Sequence, residues 1–226
     1  MTEEMPTYEI GTRLRGFSKD HFKNLAKSKE NSEENDYLNK KYVPHITFLR
    51  PFYIKENSEE SELISRFGDF CEKDGGLYRF QITNLNYFPN KQKVIYGKIS
   101  PENEITEFSE NLEKQIYDMI KYKHEKIKNP GDPSMTPHVA IFKNRENENF
   151  KQALRELQKS IDLPIDQFLI RTYLLKDKQI LREYDFCLER SLKRDETMDP
   201  ATFRKTIDSF TSKSGLKPSP NGFVRA

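Results

Sequence analysis

The chain has 226 residues, 35% hydrophobic and 33% charged, with a formal net charge of +2. That length holds one medium domain or two small lobes sharing a core, which 16 Phe and 11 Tyr can fill. No apolar run approaches the ~20 residues that span a bilayer, and a nearly neutral body excludes broad electrostatic capture of duplex nucleic acid.

Met1–Tyr8 is polar and acidic, so no signal peptide is expected. Tyr8, Ile10, Thr12 and Leu14 alternate with Glu9, Gly11, Arg13 and Arg15, which predicts a first strand of period two. Ser18 then reads as a helix N-cap, with Phe17 and Phe22 as a hydrophobic staple and the helix running to about Glu30. After a polar loop at 31–41, Val43–Leu49 predicts a strand. A second helix from about Ser58 carries Leu63, Ile64, Phe67, Phe70 and Cys71 on one face, and Gly75-Gly76 stops it.

Strands are predicted near 77–86 and 92–99, joined by Phe88-Pro89-Asn90. Ser100-Pro101 opens a helix with Pro at its first position. Its stripe is Ile105, Phe108, Leu112, Ile116 and Ile120, and Lys121, Lys123 and Lys126 crowd its end, where the helix dipole favours cations. Thr136–Phe142 predicts a strand, Phe150, Leu154, Leu157 and Ile161 a helix, and 168–175 with 180–188 a hairpin around Lys176-Asp177-Lys178-Gln179.

The two cysteines, Cys71 and Cys187, fall in apolar-periodic segments and make no disulfide framework, which fits core positions and a reducing, cytoplasmic setting. Residues 191–226 carry seven Lys/Arg against four Asp/Glu, a net +3, leaving the first 190 at −1. Asp199–Phe210 has the pattern of a short helix, and Ser214–Ala226 that of a flexible tail. Residues 1–190 are therefore expected to form the domain and 191–226 a polar, basic, partly flexible extension.

The domain divides into two similar halves, each with a strand, a helix and a strand beginning Pro-His. That predicts an α+β fold with largely antiparallel sheets. The first half holds Pro44-His45-Ile46-Thr47-Phe48-Leu49-Arg50 and the second Pro137-His138-Val139-Ala140-Ile141-Phe142-Lys143. Period-two geometry sets His45 and Thr47 on one face and Ile46 and Phe48 on the other, and likewise His138 and Ala140 against Val139 and Ile141. A lone His in an apolar strand is more often structural. Two copies in matched contexts, 93 residues apart, point instead to a shared site. Two imidazoles titrating near neutrality suit general acid–base chemistry at a phosphate, one taking a proton while the other gives one. The Thr47 hydroxyl can donate to a non-bridging oxygen. No cysteine–histidine cluster suggests zinc, and no metal or other cofactor is expected.

These residues resemble the paired His-x-Thr/Ser motifs of the 2H phosphoesterase superfamily, in its 2′-5′ RNA ligase / cyclic phosphodiesterase branch. The resemblance covers roughly residues 8–188, including the Phe88-Pro89 turn before Val94-Ile95-Tyr96-Gly97 and the closing hairpin. It implies a bilobal, pseudo-twofold fold with flanking helices and a central cleft. It also implies hydrolysis of 2′,3′-cyclic phosphates on RNA ends or small nucleotides, or the making and breaking of 2′-5′ linkages, by a monomer with no membrane attachment. One position departs from the pattern: Ala140 stands where Thr or Ser is expected, which removes a hydroxyl donor worth about 1–3 kcal/mol. That keeps a non-catalytic nucleotide or RNA-end binder open beside the phosphodiesterase, with 2′-5′ RNA ligation as a third reading.

His45, His138 and Thr47 are thus the candidate catalytic residues, and Ala140, Arg50, Lys143 and Tyr96 the candidate substrate contacts. Strict alternation sets Arg50 and Lys143 opposite the histidines, so each reaches a phosphate only past a bulge or strand end. Tyr96 is either a base-stacking platform or a core aromatic. Arg13 and Arg15 line either the cleft or solvent. His21 and His124 read as surface residues, and Lys121–Lys128 as a solvated face.

Overall fold

The structure is a computed structural model that describes residues 5–27, 43–88, 94–123, 137–143, 150–219 and 222–225. The fold is α+β. Six antiparallel strands form the first sheet, in the spatial order β10 (Arg190–Leu192), β9 (Gln179–Asp185), β8 (Arg171–Lys176), β1 (Tyr8–Arg13), β2 (His45–Ile54) and β5 (Ile120–Tyr122). The second sheet has the order β6 (His138–Lys143), β4 (Val94–Ser100), β3 (Arg79–Tyr87) and β7 (Ile165–Phe168). A separate hairpin joins β11 (Leu216–Ser219) to β12 (Gly222–Arg225). The helices are α1 (Gly16–Lys27), α2 (Glu60–Asp74), α3 (Glu102–Ile116), α4 (Phe150–Lys159), α5 (Arg194–Met198) and α6 (Pro200–Ser214).

Period-two and helical patterning decide most of these elements. In β1, Tyr8 and Ile10 are buried, and in α2 Leu63, Phe67, Phe70 and Cys71 form the buried stripe. The side chains of Phe70 and Phe48 both meet Phe108 of α3, with ring centroids 5.2 and 5.0 Å apart. This fixes the main core on the helix side of the first sheet. Gly75 ends α2 because a Cβ there would collide with the Cys71 carbonyl and the Phe186 ring. The hairpin around Asp177 and Lys178 forms as expected, both residues having positive φ of 48° and 65°.

Several expectations are corrected. Ser18 lies inside α1, which begins at Gly16, and its buried hydroxyl accepts a 2.5 Å hydrogen bond from Gln167 Nε2. The Phe17 side chain of the expected staple lies outside the described residues. Pro101 is the N-cap of α3 rather than its first residue. That helix ends at Ile116, and a 3-10 turn at Tyr117–Met119 leads into extended backbone at Ile120. Ile120 and Lys121 therefore pair with Ile54 and Tyr53 of β2 instead of continuing the helix. Strands β7 and β10 were not expected, being four and three residues long.

The C-terminal segment differs most. Asp199 caps α6 by accepting from the backbone N–H of Ala201 and Thr202. Phe210 of α6 is fully buried against Ile170 and Cys187, and its ring meets Phe168 at 5.0 Å. Beyond Gly215, where a flexible tail was expected, Leu216–Ser219 pairs with Gly222–Arg225. Pro220, Asn221 and Ala226 lie outside the described residues.

Candidate active site

His45 begins β2 and His138 begins β6, so each histidine opens a strand in a different sheet. The two strands approach one another, with Cα pairs within 8 Å. Burial alternates as the sequence pattern requires. Ile46 and Val139 are fully buried, while His45, Thr47, His138 and Ala140 are half-buried.

Both strands then break alternation at the same place. Along β1, Gly11 pairs with Thr47 but Ile10 pairs with Leu49, so Phe48 is an extra residue. Along β4, Tyr96 pairs with Ala140 but Ile95 pairs with Phe142, so Ile141 is extra. The bulge falls three residues after the histidine in each half. In a bulge two residues of one strand oppose one of its partner, and Phe48 and Leu49 are accordingly both buried. The next residue, Arg50, returns to the phase of His45 and Thr47, which reverses the alternation expected from the sequence. The register of Lys143 repeats that phase, although its side chain lies outside the described residues.

The imidazole of His45 is oriented by its own backbone: Nδ1 lies 2.8 Å from the Val43 carbonyl oxygen. A carbonyl can only accept, so Nδ1 carries a proton and Nε2 is the nitrogen whose protonation can change. His138 is held by aromatic edges, its ring 4.9 Å from Phe88 and 5.3 Å from Tyr96. Those two rings stack on each other at 4.1 Å. Tyr96 is thus a buried wall of the His138 site, with one ring face covered by Phe88.

Directly paired residues of antiparallel strands share a face. Thr47 faces Gly11, where a Cβ would strike the Ile46 carbonyl and the Tyr173 hydroxyl. Ala140 faces Tyr96. Arg13 is the partner of His45, and Lys98 the partner of His138. Arg13 therefore shares the histidine face. Lys98 was not singled out from the sequence, because only the register brings it beside His138. One guanidinium nitrogen of Arg50, Nη2, is buried without a hydrogen bond. The Tyr122 phenol, raised chiefly by burial and by Glu113, also feels the Arg50 charge, which sets that guanidinium toward the β5 side.

The histidine face of β8 and β9 is also polar but fully paired. Arg171 is buried, with Nε 2.6 Å from Asp185 and Nη1 3.2 Å from Glu183, and Arg15 pairs with Glu183. The Phe203 ring of α6 lies 5.2 Å from both guanidinium carbons. By contrast, the open depression beside Pro137 is lined by Glu102, Glu107, Glu110 and Lys114, an anionic rim unsuited to phosphate. His21 lies half-buried on α1, and His124 is outside the described residues.

Residues 17–176 match the family model of the 2′-5′ RNA ligase superfamily. The chain belongs to that superfamily. It is the 2H phosphoesterase superfamily, which agrees with the two antiparallel sheets and flanking helices seen here. Membership of the 2′-5′ RNA ligase superfamily carries a phosphoesterase or ligase type of activity on RNA or nucleotide substrates. No curated protein matches the chain significantly. The matched region holds both histidines and stops at the end of β8, so Glu183, Asp185 and all of α6 lie beyond it. Among the described residues no helix is long and apolar enough to cross a membrane.

Proposed function

We propose that the protein is a metal-independent phosphodiesterase that opens 2′,3′-cyclic phosphate ends of RNA or nucleotides, with His45 and His138 as the acid–base pair. One observation carries the reading: two strands in different sheets repeat histidine, small residue and bulge at the same spacing. One imidazole removes a proton from water as its oxygen attacks phosphorus. The other protonates the ribose oxygen as its bond to phosphorus breaks, so one proton enters and one leaves. The Thr47 hydroxyl donates to a non-bridging oxygen. Arg50, with an unsatisfied buried nitrogen on the register phase of His45, and Lys143 at the matching position supply positive charge. Tyr96 and Phe88 fix the His138 ring.

Ligation at 2′-5′ junctions is the same phosphoryl chemistry run toward synthesis. A binder of nucleotide ends without turnover is favoured by one observation, the missing hydroxyl at Ala140. We take the protein to be a cytoplasmic monomer. The deciding experiment is turnover of a nucleoside 2′,3′-cyclic phosphate in EDTA across pH. Activity with a bell-shaped kcat/KM supports the phosphodiesterase. Binding without turnover establishes the binder, and a strict need for an added divalent metal overturns the mechanism.

A further inference from the structure

Each histidine has a basic residue as its direct partner on the neighbouring strand, Arg13 beside His45 and Lys98 beside His138. Paired residues on one face have Cβ atoms about 4.5–5.5 Å apart, so each cation stands one strand away from an imidazole. Neither is used by the fold. Among the described residues the Arg13 guanidinium makes no hydrogen bond or ion pair, and it lies 5.4 Å from the centroid of the Tyr173 ring. That ring is buried, and its hydroxyl donates to Glu9 at 3.3 Å. The aromatic face supports the flat cation and leaves its five N–H donors for a ligand. Lys98 likewise makes no ion pair among the described residues and is half-buried. The contrast lies along the same sheet face, where Arg15 and Arg171 are both committed to carboxylates.

We infer that Arg13 and Lys98 are flanking phosphate contacts, one in each half of the site, and that the natural substrate is an oligonucleotide whose chain continues past the reacting phosphate. The inference rests on the phosphoesterase reading above. A mononucleoside cyclic phosphate has one phosphate, which the histidines occupy, and offers these cations nothing further. A longer strand brings a phosphodiester to the neighbouring strand position. The nearly neutral body makes such local contacts the means of holding a strand.

The test compares kcat/KM for a nucleoside 2′,3′-cyclic phosphate and for a trinucleotide ending in the same group, in the full chain. We expect the wild type to prefer the trinucleotide. In Arg13→Gln and in Lys98→Gln that preference should fall about tenfold, through KM. The log–log salt dependence for the trinucleotide should become shallower by about 0.7 for each cation removed. Arg13→Lys, which keeps the charge, should retain most of the preference. An equal preference in the wild type and both Gln variants overturns the inference. If the wild type turns over neither substrate, the phosphodiesterase reading fails on its own. Binding of a 2′-phosphorylated trinucleotide and of a nucleoside 2′-phosphate then decides. A trinucleotide advantage lost in the Gln variants supports the flanking contacts, and an unchanged one overturns them.

Discussion

The hydroxyl of Thr206 donates a 2.6 Å hydrogen bond to Asp185 Oδ2, fastening α6 to the sheet that carries His45. The same hydroxyl receives a hydrogen bond from Arg171, whose side chain is fully buried. A charge buried there is tolerable only because every partner is in place. Thr206→Val leaves Arg171 one acceptor short and should cost about 1–3 kcal/mol in urea unfolding. Arg171→Met strands two buried carboxylates and should cost about 3–5 kcal/mol. Unchanged urea midpoints would show that α6 adds nothing to the domain.

The thiols give a second readout of that seat. Burial, then Asp185, pushes the Cys187 thiol up to about 12, and burial raises the Cys71 thiol as well. A thiolate is the reactive form, so neither cysteine should label at pH 8 until the protein is unfolded. Cys187 lies against Phe210, and its carbonyl accepts from Ser209. A chain ending at Ser191 loses both contacts, so Cys187 should label quickly while Cys71 stays protected. Equal protection of Cys187 in the shortened chain would show that α6 does not cover it.

At the histidines we expect His45→Ala and His138→Ala each to lower kcat by a factor on the order of 10²–10⁴. Because the two act as one unit, the double variant should be little slower than either single variant. Turnover of a cyclic nucleotide, with a circular dichroism spectrum to verify folding, measures this. Near-native turnover in one single variant would rule out a shared acid–base step.

Ala140 offers a gain-of-function test. It faces Tyr96 on the register phase of His138, as Thr47 faces Gly11 on that of His45. Ala140→Thr should therefore restore a donor to the second half of the site and raise kcat about tenfold to a hundredfold, equivalent to about 1–3 kcal/mol. Ala140→Val, nearly the same shape without the hydroxyl, should not. A Thr variant that is folded but no faster would mean that another group already serves that oxygen.

Much of this was legible because burial leaves a period in the chain. Ile46 and Val139 anchor their strands as the alternation requires, and the α2 stripe falls where its apolar residues recur. Other features depend on partners distant in the chain. Arg171 reads as an exposed strand residue until Glu183, Asp185 and Thr206 are brought to it. Ile120 fits a helical stripe, but pairing with Ile54 prevails once the helix has tightened into a 3-10 turn. The polar composition after Ser214 resembles a loose tail because a short hairpin needs few apolar residues. Lys98 sits beside His138 through register alone.

The paired bulges separate two measures of distance. Counted along the chain, Arg50 follows His45 by five residues. Counted on the sheet it follows by four, since Phe48 takes no ladder position of its own. Parity on the sheet decides which face a side chain occupies, so an odd interval in the sequence acts as an even one for a substrate. Losing a residue at Phe48 would remove the bulge and keep the guanidinium on the same phase. Losing one between His45 and Thr47 would turn the hydroxyl into the core. Relatives of this chain can therefore carry the corresponding cation four or five positions after the histidine with the same geometry, and an alignment that penalises the gap equally at both places will misjudge which of them share the site.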